Sequence, residues 1–277
     1  MYAFKFILAF VLACLYANCL LAKEKITWAI HDMPPAWIIS GEYKGKGIVD
    51  FQRKAYQNEL QEFLHDEVLV TQERLYALMK NKQTTQTYCN AGQLIPETLK
   101  PYIYSSNPVD KIIPNHIITT TDNYKKMKLQ DNMVQLDQLL NNEKLTLGFV
   151  KSRPFGGTVN ETVEAKISKT NIQVFPYTML HKLPTLLDLG RIDYFFDYPF
   201  MVKYYKKINQ VNAEFVSVKM KENNIYYNYF VICNKSDAGK SIIEKVNLVL
   251  ASNRNKSVFN DGWKLWLPLY LKGKFKK

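Results

Sequence analysis

The chain has 277 residues, 47% hydrophobic and 13% aromatic, with no low-complexity tract and no internal repeat. That composition excludes a disordered or collagen-like protein and leaves room for one large domain or two lobes. The formal charge of +12 comes from lysines that are scattered rather than clustered with aromatics, which argues against nucleic-acid binding. The densest run, Lys272, Lys274, Lys276 and Lys277, reads as a solvated tail.

Residues 1–22 carry one positive charge, Lys5, then an apolar run from Phe6 to Tyr16, then the small residue Ala22 ahead of Lys23, Glu24 and Lys25. This is the pattern of a cleaved secretory signal peptide, and it places the mature chain, from about Lys23, outside the cytoplasm. An uncleaved anchor is the alternative, although Tyr16 and Asn18 interrupt the run short of the roughly 20 apolar residues of a span. A lipoprotein-like site at Cys14 suits the residues poorly because of Leu12. Cys14 and Cys19 leave with the signal, and Cys89 and Cys233 remain as an even pair in an oxidising compartment. His31, His65, His116 and His181 are scattered, with no HExxH or CxxC, so no metal or other cofactor is expected.

In chain order, Lys25 to Ile30 reads as a first strand, broken by Pro34 and Pro35. Gly41, Gly45 and Gly47 mark turns before a helix carrying Ile48, Phe51 and Ala55 on one face. His65 to Val70 is a second strand, Thr71 caps a helix with Leu75, Leu78 and Met79, and Thr87 to Gly92 is a third strand. This alternation predicts a layered α/β lobe. A second α/β set follows from about residue 112 to 220. It has a helix over Asp131–Leu140, a strand over Leu145–Val150, a helix capped by Thr158 with Glu161, a strand over Ile172–Phe175, a helix over Leu180–Leu189 and a strand over Arg191–Asp197. The last third supplies one strand, Tyr226–Cys233, and two helices, Ser236–Leu250 and Trp263–Leu271. That is too little to stand alone, so it returns to the first lobe. The expected division is residues 1–22 as signal, 23–110 with 226–277 as one lobe, and 111–225 as the other. Crossings near Asn107–Ile112 and Asn223–Asn228 serve as hinges around a cleft.

The strongest local chemistry lies between Lys151 and Glu161, where a strand enters a glycine-containing loop and then a helix. Free backbone N–H groups there, with Arg153, suit a carboxylate or other anion. A tight connection whose Arg faces solvent is the alternative. In either reading Arg153 is a loop residue whose removal leaves folding nearly unaffected. Asp197 and Tyr198, at a strand end, suit a substrate ammonium, or else a structural cap. Asp32, Met33 and Trp37 offer a carboxylate with an aromatic wall for a cationic or polar ligand, or else Trp37 is core. No nucleophile motif is present, so no catalytic residue is assigned.

Together these elements resemble the family 3 extracellular solute-binding proteins, the periplasmic components of polar amino-acid transporters. The resemblance covers nearly all of the mature chain. It rests on the Ile26-Thr-Trp28 start, Pro34 to Trp37, Gly45 to Asp50, Gly92 through Thr98 to Ser105, and Leu189 to Asp193. It implies an α/β, two-lobed periplasmic binding protein-like fold of type II, with two α/β lobes joined by two hinge crossings. It also implies a ligand site lined by Asp32, Met33, Trp37, Gly92, Ser152, Arg153, Phe155, Asp197 and Tyr198, and a disulfide between Cys89 and Cys233. One departure stands out: Thr98 occupies the position where the family presents an Arg, with Lys100 as the nearby cation. The expected function is reversible binding of a small polar or anionic, amino-acid-like solute for an ABC transporter or a sensor. The protein is expected to be a monomer with a membrane permease or sensor as partner and no nucleic acid. An enzyme acting on a small carboxylic acid, dehydratase-like, and a secreted interaction module are the alternatives.

Overall fold

Ile26, Thr27 and Trp28 are strong strand formers, and in the computed structural model they lie in β1 (Lys25–Ile30). The structure describes residues 23–127, 129–130, 133–151, 153, 155–253 and 257–268. The expected signal peptide, Ser152 and the lysine-rich tail lie outside them. After β1 come α1 (Ile48–Glu59), β2 (Leu64–Leu69), α2 (Gln72–Lys80) and β3 (Thr87–Gln93). The Thr71 hydroxyl accepts the Arg74 N–H at 3.2 Å, as its place before α2 predicts. Short strands β4 (Ile103–Ser105) and β5 (Asp110–Ile112) complete this part.

The chain then builds a second sheet. Its elements are β6 (His116–Thr120), α3 (Thr121–Lys125), β7 (Leu129–Gln130), β8 (Met133–Val134), α4 (Leu136–Leu140), β9 (Leu147–Val150), α5 (Val159–Glu164) and β10 (Ile172–Phe175). A 3-10 segment at Tyr177–Lys182 leads into α6 (Leu183–Asp188), followed by β11 (Tyr194–Asp197), α7 (Pro199–Ile208) and β12 (Phe215–Met220). The strand order is β10-β9-β11-β6-β12-β8-β7. The helix expected over 131–140 is confined to α4, because Met133 and Val134 are drawn into a strand beside Lys219 and Met220.

The return strand β13 (Tyr227–Asn234) enters the first sheet between β3 and β4, giving the order β2-β1-β3-β13-β4. β5 also pairs with β13, so the first crossing lies later than the sequence suggests, after Ile112. The two crossings are 113–115 and 221–226. The first sheet has two buried faces. Ile26, Trp28, Cys89, Val231 and Cys233 pack under α1 and α8 (Asp237–Asn253), whereas Ala29 and Ile232 pack with Leu75 and Met79 of α2. The alternation follows from strand period two. Cys89 and Cys233 stand opposite each other on β3 and β13, with Cα atoms 4.1 Å apart, and form a disulfide.

The last helix, α9 (Ser257–Trp266), packs on α1 and also reaches α7 of the second lobe. Trp266 is fully buried, donates its indole N–H to the Lys46 carbonyl at 2.7 Å, and meets the rings of Tyr43 and Tyr204 edge-on. Lys203 of α7 donates to the carbonyls of Leu265 and Leu267 at 2.6 and 3.2 Å, caps that suit the negative end of a helix. The lobes therefore touch outside the crossings. Among the described residues no helix is long and apolar enough to cross a membrane.

Candidate functional site

The parallel register of β9 and β11 sets Tyr194 beside Leu147 and Phe195 beside Gly148. Carried forward, the register brings Asp197 beside Val150, within reach of Arg153. The Arg153 guanidinium donates from Nη2 to Asp197 Oδ1 at 2.5 Å. Both side chains are buried, and Oδ1 also accepts the Tyr198 N–H. Burial opposes the Arg153 charge, and the Asp197 carboxylate more than offsets it, so the Arg153 pKa is raised. The rings of Phe155 and Tyr198 lie 5.3 and 5.6 Å from the guanidinium carbon. Two residues expected to meet opposite ends of a ligand are thus each other's partners.

The loop after Arg153 is tied internally as well. Asn160, and not the Thr158 side chain, organises it. Asn160 Oδ1 accepts the Phe155 N–H at 2.9 Å, and its Nδ2 donates to the Arg153 carbonyl at 2.8 Å. The amides of Thr158 and Val159 bond to the carbonyls of Glu222 and Gly156. Asn115 and Asn223, one from each crossing, both donate to the Phe155 carbonyl, at 3.0 and 2.5 Å. The loop is therefore fastened to both hinges at one atom.

Gly157 has φ +56 and sits against the Glu222 carbonyl, where a Cβ would collide with backbone. Gly157→Ala is expected to cost about 2 kcal/mol or more, since both the left-handed conformation and the close approach exclude a side chain. Urea denaturation measures this, and an unchanged midpoint would contradict the close approach.

In the first lobe the residues after β1 divide. His31 is buried with Nδ1 at 3.0 Å from the Val70 carbonyl, while Asp32 and Met33 are exposed. Trp37 is fully buried in the first lobe's core, so its ring offers no surface to a ligand here. The carbonyls of Pro35 and Ala36 accept the first amides of α1, from Ile48 and Val49, at 2.8 Å each. Asp50 accepts from Ile38 and Gly47 at 3.0 Å. Gly92 is set by packing, because a Cβ there would overlap the Val49 side chain of α1. Thr98 is exposed, and Lys100 pairs with Glu97 on the surface at 2.5 Å.

A cavity of about 200 Å³ opens where the lobes face each other. Asp32, Met33 and Pro34 line it from the first lobe, and Tyr177, Thr178, Leu180, His181, Met201 and Tyr205 from the second. Of the sequence-expected residues that are described, Asp32 and Met33 line it; Arg153 approaches through Met201, whose sulfur is 3.5 Å from Nη2. The second-lobe wall was not anticipated. Its signal was available in part, because Met201 and Tyr205 stand four apart on α7 and share a face. The opposite face of α7, with Phe200, Lys203, Tyr204 and Lys207, meets α9 and Tyr43. Burial pushes the Tyr204 phenol up, and the nearby charge of Asp32 adds to the effect. Burial likewise pushes the Tyr205 phenol up, leaving it a neutral hydroxyl at ordinary pH.

No protein-family model matches the sequence, and no curated protein is similar to it in sequence. Solved structures match over about nine-tenths of the chain. An ancestral cationic amino acid solute-binding protein, AncCDT-1, is 16% identical, covers 91% of this chain and 99% of its own, and has a TM-score of 0.64. The L-cystine solute receptor of Neisseria gonorrhoeae, in its unliganded open conformation, is 14% identical over 88% and 93% of the two chains, with a TM-score of 0.61. Substrate-binding domain 2 of Lactococcus lactis GlnP is 17% identical over 89% and 96%, also with a TM-score of 0.61. The two sheets, the two crossings and the returning strand thus make up the two-lobed α/β fold of the solute-binding proteins.

Proposed function

We propose that this chain is a periplasmic solute-binding protein that reversibly holds a small polar, amino-acid-like molecule between its lobes. The observation that carries the reading is the cavity lined from both lobes, since a ligand there contacts residues that lobe closure brings together. The fold supports it, and so does the pattern of residues 1–22, which suits export. The protein works as a monomer that binds without turning over its solute and hands it to a membrane permease or reports it to a sensor. At about 200 Å³, the cavity is on the scale of a small solute.

Thermal-shift screening of residues 23–277 with small amines, amino acids, organic acids and sugars tests the reading. One class is expected to raise the midpoint, by an amount equivalent to about 2.7 kcal/mol at a hundredfold excess over Kd. Small-angle scattering is expected to show a more compact particle with that solute bound, and mass spectrometry to recover the solute unchanged. A screen with no stabilising class would reject the proposal, and a consumed solute would turn it toward an enzyme.

A further inference from the structure

The cleft's charges are unequal. Asp32 is an exposed carboxylate on the cavity wall, and its charge is felt by the neighbouring Tyr204. Among the described residues that line it, none is a lysine or arginine. The buried cation behind the wall, Arg153, is held by Asp197 at 2.5 Å. The amides that begin the helices on either side are taken as well: Ile48 and Val49 by Pro35 and Ala36, and Thr158 and Val159 by Glu222 and Gly156. α5 is only six residues long, and in the loop before it Asn160 takes the Phe155 N–H.

A carboxylate entering this cavity would lose its hydration and meet a like charge. An ammonium group would meet Asp32 and the rings of Tyr177 and Tyr205, a carboxylate with aromatic faces being a favourable setting for an organic cation. Met33, Leu180 and Met201 supply apolar surface for the rest of such a molecule.

We propose that the cleft selects a small organic amine, a monocation with an apolar body and no carboxylate, over the corresponding α-amino acid, with Asp32 as its counter-ion. The inference rests on the solute-binding reading and names its ligand class. It departs from the anionic ligand that the Arg153 loop suggests in sequence, because Arg153 is buried behind the wall with Nη2 on Asp197 and is not among the residues that line the cavity.

Titration calorimetry with matched pairs tests it on residues 23–277: tyramine against tyrosine, phenethylamine against phenylalanine, and isoamylamine against leucine. In at least one pair the amine is expected to bind tenfold or more tighter than its amino acid. The deaminated acid, 3-(4-hydroxyphenyl)propionate, is expected to show no binding. Asp32→Asn is expected to lower amine affinity at least tenfold with an unchanged melting temperature, since Asp32 is exposed, and Asp32→Glu to restore part of it. An amino acid or acid that binds as well as its amine, or an Asp32→Asn protein with undiminished affinity, overturns the inference and leaves solute binding standing. The same holds if none of these compounds binds while the wider screen finds another class. If no compound of any class binds, both readings fall.

Discussion

Arg153→Ala is expected to destabilise the fold by about 3–5 kcal/mol, the cost of leaving a buried charge without its partner. The reason is geometric. Asp197 is fully buried at the end of β11, and Arg153 is its ionic partner, with one Nη2–Oδ1 contact of 2.5 Å. Asp197→Ala should cost a similar amount, because the guanidinium would then be stranded between Phe155 and Tyr198. Replacing both, with Arg153→Met and Asp197→Leu, should recover most of the loss, since apolar side chains of similar volume need no counter-charge. Urea denaturation of wild type, the two alanine variants and the Arg153→Ala with Asp197→Ala double variant completes the cycle. A coupling energy below about 0.5 kcal/mol, the scale of independent sites, would refute the pairing. The loop location seen in sequence suggested that Arg153 could be removed at little cost to folding; its burial reverses that expectation.

Loss of the disulfide has the next largest expected effect. The bond joins β3 to β13 across most of the chain. Chain-entropy reasoning gives an upper figure of about 5 kcal/mol for a loop of this length, and removal of native disulfides typically costs about 2–5 kcal/mol. The double variant Cys89→Ser with Cys233→Ser is therefore expected to unfold at markedly lower urea concentration. The wild type should move to the same midpoint when reductant is present throughout. Equal midpoints for oxidised wild type and the double variant would show that the bond adds nothing.

The contrast between these two sites shows what a sequence carries. The cysteine pairing follows from the family resemblance, which implies that β3 and β13 are neighbours; the two strands themselves are legible from their β-formers. The alternation from β1 to β3 is legible too, because period two and period 3.6 are local properties. The pairing of Arg153 with Asp197 is not local. It depends on the register of β9 against β11, which nothing in either segment states alone. Trp37 has the same difficulty, since an aromatic after a strand reads equally as ligand wall or core, and only the packing of α1 decides for the core. Short strands such as β5 and β8 escape notice because two or three residues hold too little pattern. The α7 helix was missed for another reason. Its lysines and tyrosines are mixed around the cylinder, because one face lines the cavity and the other carries α9.

The position of β13 has a consequence for the order in which the chain becomes structured. This strand lies inside the first sheet, between β3 and β4, yet among the described residues it is the last strand made. An emerging chain that stops at Met220 possesses every strand of the second sheet and can complete it. The first sheet must wait, with one side of β3 unpaired, until residues more than a hundred positions later arrive. Contacts at such separation are slow to form, and open strand edges invite association with other chains in the meantime. A protein truncated before Tyr227 should therefore retain its middle and clump through its beginning.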